Sequence, residues 1–189
     1  MTERANVAGC FDRKGLIAAV EAGAAPEYLY FWGHTGNPGH AGPFVFSQWW
    51  EAPFVVDGVR YPTAEQYMMA EKARLFGNEA MISRIVEAAT PAAAKALGRE
   101  VAGFDQAVWA AHRFDIVVAG SVAKFGQDRA LRPYLLATGE KVLVEAAPRD
   151  TIWGIGLGRD NPKAADPRTW RGLNLLGFAL MKARAILKA

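Results

Sequence analysis

The residues best suited to chemistry lie in the stretch YPTAEQYMMAEKARLF, at positions 61–76. Thr63 and Gln66 have the spacing of a capping box, in which a hydroxyl and an amide side chain satisfy backbone donors at the start of a helix. Pro62 disfavours helical backbone at the residue before it, so a helix cannot easily begin earlier. The pattern predicts a helix over residues 63–76.

The apolar face of this helix contains two ionisable side chains. At about 100° per residue, Glu65 and Lys72 fall within about 20° of each other. Burying either charge costs several kcal/mol unless a partner or a ligand compensates. The pair therefore indicates a catalytic cavity, although both residues can instead lie at the edge of the face, with Lys72 reaching water. The same face carries the apolar side chains of Met68, Met69, Leu75 and Phe76.

A second candidate is the glycine-rich stretch RDTIWGIGLG, at positions 149–158. Alternating glycines such as Gly154 and Gly156 let a backbone approach a ligand and offer N–H donors to phosphate oxygens. The spacing is not that of a dinucleotide-binding fingerprint, and a structural turn explains the glycines equally well. Trp153 and Asp150 favour a ligand site, because an indole can stack on a base and a carboxylate can bind ribose hydroxyls.

Three further residues are candidates for substrate binding. Trp109 lies in a long predicted helix, where it serves either as a core residue or as a stacking platform. Ser47 and Gln48 precede two tryptophans, where they either cap a turn or line a pocket.

The composition predicts one soluble domain. The chain has 189 residues, of which 51% are hydrophobic and 22% charged, and its net charge is +3. This charge is compatible with an anionic ligand but does not demand one. Cys10 is the single cysteine and the three histidines are scattered, so we expect no metal site and no cofactor. No apolar run reaches about 18 residues, so we expect a cytoplasmic protein without a membrane partner.

The remaining patterns predict a mainly α class with a small β element near the N-terminus. EYLYFW and KVLVEA read as short strands, and Asp57-Gly58 is typical of a tight hairpin turn. The glycine- and proline-rich residues 33–43 and 150–170 read as loops. Further helices are predicted over residues 12–23, 78–89, 91–101, 105–125, 128–138 and 171–187.

Four motifs in order resemble the NADAR (YbiA-like) family: FSQWW, PTAEQYMMAEKA, DTIWGIGLG and WRGLNLLGFALMKAR. The resemblance covers residues 28–189 and leaves residues 1–27 as an N-terminal extension with a short helix. It implies a compact, single-domain, mainly helical fold and N-glycosidase activity. Some members cleave a ribosylaminopyrimidine phosphate of riboflavin biosynthesis, and others remove ADP-ribose from guanine, including guanine in DNA.

The resemblance also implies roles for the candidate residues. Glu65, Lys72 and Asp150 match the family's catalytic positions, with Lys72 as an imine-forming nucleophile or only an electrostatic group. The substrate would be bound by Ser47, Gln48, Trp109, Trp153, Gly154 and Gly156, with the tryptophans stacking on the base and the glycines receiving phosphate.

The resemblance favours one substrate over another. The loop reads W-G-I-G, where the riboflavin branch has W-G-D-G, and residues 33–43 form a longer loop than in the minimal family form. Both differences favour ADP-ribosylated guanine, in nucleic acid or nucleotide, with an ADP-ribosyltransferase toxin as a possible functional counterpart. The alternatives are the riboflavin intermediate and a non-catalytic module that binds ADP-ribose or NAD.

Overall fold

The computed structural model describes residues 7–37 and 39–189. Residues 1–6 of the predicted extension and Pro38 of the predicted glycine-rich loop lie outside the described residues. Within the described residues, seven helices contain far more residues than four short strands. The helices are α1 (Arg13–Glu21), α2 (Ala64–Leu75), α3 (Glu79–Val86), α4 (Pro91–Arg99), α5 (Gln106–Gln127), α6 (Leu131–Ala137) and α7 (Leu175–Lys188). The strands are β1 (Tyr28–Phe31), β2 (Glu51–Val56), β3 (Val59–Thr63) and β4 (Val142–Glu145).

The strands form two separate pairs. β2 and β3 are antiparallel and are joined by Asp57 and Gly58, whose φ values of 49° and 79° fit the predicted tight hairpin turn. β1 pairs in parallel with β4, from Tyr28 opposite Val142 to Phe31 opposite Glu145. The β structure is therefore not confined to the N-terminal part of the chain, because β4 comes from its last third.

Helix α2 lies at the centre of the fold, against α3, α4 and α5. Its first seven residues are all buried, so the helix has no solvent-facing side at this end. Thr63 caps the helix as predicted, accepting a hydrogen bond from the backbone N–H of Gln66. The Gln66 side chain does not complete a capping box: it accepts from the Thr63 hydroxyl at 2.6 Å and donates to the Ala88 carbonyl at 3.0 Å.

The C-terminal helix begins later than the sequence predicts. Residues 171–173 donate backbone hydrogen bonds to the carbonyls of Ile155 and Thr151 instead of forming a helical turn. Asn174 follows in the left-handed conformation, with a φ of 55° and no exposed surface. Its side chain donates to the Leu143 carbonyl and accepts from the N–H of Glu145, both at 2.9 Å. Asn174 thus joins the start of α7 to the end of β4.

The N-terminal segment packs against the body of the protein. Leu16 of α1 is fully buried, and the Arg13 guanidinium donates to the carbonyls of Pro167 and Arg168. The predicted division of the chain at residue 28 stays a prediction. None of the helices in the described residues is long and apolar enough to cross a membrane.

Candidate active site

A cavity of about 1030 Å³ opens between α2, α4, the segment 47–49 and the loop 147–153. Seven of the nine site residues predicted from the sequence line it: Ser47, Gln48, Glu65, Lys72, Trp109, Asp150 and Trp153. Glu65 and Lys72 of α2 therefore face one common space, which an apolar core would not provide.

Glu65 is the most deeply buried acid of the cavity. Its side chain is 3% exposed, and its Oε1 atom has no hydrogen-bond partner in the described part of the chain. Its backbone N–H donates to the Gln48 carbonyl at 3.0 Å, which ties the start of α2 to the segment 47–49. Burial raises the pKa of the carboxyl from 4.5 to about 7, although Lys95 and the Trp49 side chain act in the opposite direction. Glu65 can therefore both accept and release a proton near neutral pH.

Lys72 presents a partly desolvated amine to the same cavity. Its Nζ atom donates to the Gly98 carbonyl at 2.6 Å and lies 4.1 Å from the centre of the Phe104 ring. Burial lowers the pKa of this amine below its usual 10.5. The neutral, nucleophilic form is therefore more abundant than in an exposed lysine.

Gly98 allows α4 to come close enough for this hydrogen bond. A Cβ atom at this position would lie 2.1 Å from Sδ and 2.9 Å from Cγ of Met69 on α2. A larger residue would force either the Met69 side chain to change conformation or α4 to move away from α2, and the second response would displace the carbonyl that holds Lys72.

Asp150 orders the loop on the opposite wall. Its Oδ1 atom accepts backbone hydrogen bonds from Ile152 and Trp153, both at 2.8 Å. Its charge also raises the pKa of Glu65, although less than burial does. The structure thus gives Asp150 a role in holding the Trp153 backbone in place, in addition to its predicted role toward the substrate.

Gly154 and Gly156 do not line the cavity. Both are buried, and a Cβ atom on Gly154 would lie 2.8 Å from the carbonyl oxygen of Glu145. Ile155 between them is fully buried and donates its N–H to the same carbonyl. The predicted phosphate contact of these glycines has no support in this geometry. Ile155, the residue at which W-G-I-G differs from W-G-D-G, is fully buried here and therefore cannot contact a substrate.

Glu145, Lys95 and Arg99 are among the lining residues that were missed, because no local pattern distinguishes them. Glu145 ends β4, and burial, followed by the charge of Asp150, raises its pKa to about 8. Lys95 and Arg99 have the ordinary appearance of a solvated helix face. Their position at the cavity follows only from the packing of α4 on α2, which the sequence alone does not reveal.

The buried side chain of Lys124 holds the backbone of residues 45–47, at the edge of the cavity. Its amine is 2% exposed and donates to the carbonyls of Val45 and Ser47 at 2.7 and 2.9 Å. These bonds hold a single turn of 3-10 helix, Pro43–Phe46, and the residues after it. The FSQWW motif therefore forms an irregular wall of the site.

In the described part of the chain, no group of three or more His, Cys, Asp or Glu side chains is arranged to hold a metal ion. The cavity instead combines the carboxyl groups of Glu65 and Glu145, the partly desolvated amine of Lys72 and several aromatic rings. This is a set of groups for proton transfer, nucleophilic attack and stacking on a planar ligand.

Comparison with known proteins agrees with the resemblance seen in the motifs. The NADAR domain family model matches residues 30–188. The chain is 43% identical over 163 residues to "N-glycosidase R617" of Acanthamoeba polyphaga mimivirus, covering 84% of this chain and 95% of that one. It is 32% identical over 139 residues to "N-glycosidase YbiA" of Escherichia coli K12, covering 74% and 76% of the two chains.

The fold is also similar to a solved structure. The NMR structure of the E. coli protein YbiA aligns over 87% of both chains, with a TM-score of 0.67 and 27% sequence identity. The family match spans the hairpin, the cavity and the C-terminal helix described above. The chain belongs to the NADAR domain family.

Proposed function

We propose that this protein is an N-glycosidase that removes ADP-ribose from guanine, in nucleic acid or in a nucleotide. The observation that carries the proposal is the placement of Glu65 and Lys72 in one cavity, each with a pKa shifted by burial. A binding module needs only stacking and phosphate contacts, and it gains nothing from a buried carboxyl whose Oε1 atom has no hydrogen-bond partner in the described part of the chain. The names of two relatives, both N-glycosidases, support the same reaction class.

The size and lining of the cavity favour the larger substrate. Small-molecule sites commonly enclose about 300–1,000 Å³, and this cavity of about 1030 Å³ is at the upper end of that range. Trp49, Trp109 and Trp153 all line it and offer rings for a purine. A pyrimidine with a single ribose phosphate would leave much of this space to water.

The groups present suit a covalent route. Cleavage of the glycosidic bond builds positive charge on the anomeric carbon and negative charge on the leaving base. The neutral Lys72 amine forms a bond to the anomeric carbon as the bond to the guanine nitrogen breaks, and the guanine takes a proton from Glu65. The ring C–O bond at the anomeric carbon then breaks as the Lys72 nitrogen forms the imine double bond, and the proton that this nitrogen gives up passes to the ring oxygen. Water hydrolyses the imine and returns ADP-ribose and the free amine.

A simpler route uses the same residues without a covalent intermediate. The ionised Glu65 takes a proton from a water molecule as that water attacks the anomeric carbon. The bond to the guanine nitrogen breaks, the proton passes from Glu65 to the leaving guanine, and Lys72 stabilises the developing charge. Borohydride separates the two routes because it reduces an imine to a stable amine. An adduct on wild-type protein that is absent from Lys72→Ala supports the covalent route, and active enzyme that yields no adduct supports the simpler one.

The function itself is tested by product analysis. Purified protein is offered an oligonucleotide with one ADP-ribosylated guanine and, separately, a ribosylaminopyrimidine phosphate, and products are identified by mass spectrometry. We expect unmodified guanine and free ADP-ribose from the first substrate. Cleavage of the pyrimidine substrate alone would replace the proposal with the riboflavin-intermediate glycosidase. Binding of ADP-ribose without cleavage of either would indicate a binding module.

A further inference from the structure

Three cationic side chains line the cavity without a counter-ion. Lys95 and Arg99 come from α4, and Arg149 comes from the loop on the opposite wall. Within the described residues, none of them takes part in an ion pair or donates a side-chain hydrogen bond to another residue. By contrast, Lys182 of α7 pairs with Asp115 at 3.2 Å. Three positive charges that line one cavity without an ion-pair partner favour an anionic ligand.

The packing of α4 turns two of these cations toward the cavity. Ala94 and Gly98 are buried against the body of the protein, with Gly98 in contact with Met69. Lys95 and Arg99 each follow one of these buried residues and lie one helical turn apart, so their side chains leave the helix on the same side. Lys95 Nζ lies 5.9 Å from the centre of the Trp49 ring, at the cavity wall.

The acids of the cavity do not neutralise these cations. Glu65, Glu145 and Asp150 all line the same space, but the described residues contain no ion pair within 4.0 Å between these acids and the three cations. Lys95 and Arg99 do act on Glu65 through space, since both lower its pKa. The charges are thus separated, with the carboxyl of Glu65 deep in the cavity and the more exposed cations toward solvent.

This separation matches a ligand with phosphate at one end and a reactive sugar carbon at the other. The glycines at 154 and 156 are turned into the core, so they leave the phosphate without the backbone donors predicted for it. We propose that Lys95 and Arg99, with Arg149 on the facing loop, form a subsite for the diphosphate of the substrate. Arginine binds phosphate through a planar pair of donors, whereas lysine acts as a point charge. The inference rests on the proposed function for the identity of the substrate, but not for the binding of diphosphate.

The subsite is tested with inorganic pyrophosphate and with ADP-ribose, titrated calorimetrically into the wild-type protein and its variants. Lys95→Ala, Arg99→Ala and the double variant remove the proposed contacts. Lys14→Ala combined with Arg129→Ala is the matched control, because both residues are exposed, lie away from the cavity and remove the same total charge. Circular dichroism checks that each variant is folded.

We expect each single variant to weaken the affinity for both ligands about tenfold, and the control to leave it unchanged. Equal affinity in the wild-type protein and the double variant would overturn the subsite, as would a lack of binding of both ligands by the wild-type protein. An equal loss in the control would show that only net charge matters, which also overturns it.

The kinetic result separates this inference from the proposed function. If ADP-ribosylated guanine is cleaved, the double variant should raise KM strongly, because it loses a contact remote from the reacting bond, and should shift the pH profile of kcat to higher pH, because Lys95 and Arg99 no longer lower the pKa of Glu65. If no glycosidic bond is cleaved, the proposed function fails, and the calorimetric comparison still decides whether the subsite exists.

Discussion

Replacing Glu65 with glutamine should make the protein more stable at alkaline pH while strongly lowering its proposed activity. The carboxyl is 3% exposed, and its pKa is raised from 4.5 to about 7. At about 1.4 kcal/mol per pKa unit, holding the ionised form in the fold costs about 3 kcal/mol. A neutral amide of the same shape does not carry this cost.

The ionisation of Glu65 makes the stability of the wild-type protein depend on pH. Between pH 4.5 and about 7 the native protein binds more protons at this site than the unfolded chain, so wild-type stability falls as pH rises. Glu65→Gln has no carboxyl at this position, so its stability does not fall with rising pH for this reason. Its stability advantage should therefore be smallest near pH 4.5 and reach up to about 3 kcal/mol above pH 8.

Urea unfolding at pH 5 and pH 8.5 measures this difference. Glu79→Gln is the matched control, because Glu79 also lies in the first turn of a helix but is exposed. The change in free energy of unfolding measured for Glu79→Gln is subtracted from that of Glu65→Gln. It accounts for the loss of a negative charge at a helix N-terminus, which is worth about 0.3–1 kcal/mol. A Glu65→Gln variant that is less stable than wild type at pH 8.5, or whose advantage is the same at both pH values, would refute the reasoning.

Three further predictions concern the parts that position the site. Asn174→Ala should lower the free energy of unfolding by about 3 kcal/mol, because two buried hydrogen bonds to the end of β4 are lost; unchanged urea unfolding would contradict this. Gly98→Ala should destabilise by about 1–3 kcal/mol, although alanine normally favours a helix by about 1 kcal/mol, because its Cβ meets Met69; a stabilised variant would show that α4 can move freely. For the wild-type enzyme, the route without a covalent intermediate predicts that kcat rises with pH through about 7, because Glu65 must be ionised to take a proton from water; a kcat that falls over pH 5.5–8 would contradict that route.

Local signals predicted much of the helical framework. Thr90 and Asp105 cap α4 and α5 as their types and spacing indicate, accepting hydrogen bonds from Ala93 and Val108. The predicted end of α5 at residue 125 is two residues early, because Gly126 continues the helix to Gln127. The Gln127 side chain then pairs with both backbone groups of Val55 in the hairpin, a tertiary contact that no local signal shows.

The sequence could reveal a site residue only where a charged side chain occurs at a position that its local pattern predicts to be apolar and buried. A carboxylate and an amine on an apolar helix face signal Glu65 and Lys72 without any knowledge of the fold. Glu145 gives no such signal, since a glutamate at the end of a strand is ordinary. Its placement depends on the parallel pairing of β1 with β4, segments more than a hundred residues apart in the chain. Lys95 and Arg99 likewise require the contact of α4 with α2.

Glu65 and Lys72 are proposed to perform the cleavage, and one rate comparison tests this role most directly. Guanine release from the ADP-ribosylated oligonucleotide is measured by mass spectrometry for the wild type, Glu65→Gln and Lys72→Ala, with Glu79→Gln and Lys14→Ala as controls for exposed residues of the same types. We expect both cavity variants to lose at least about a hundredfold in rate and both controls to match the wild type. Guanine release that persists at the wild-type rate in either folded cavity variant would contradict the account.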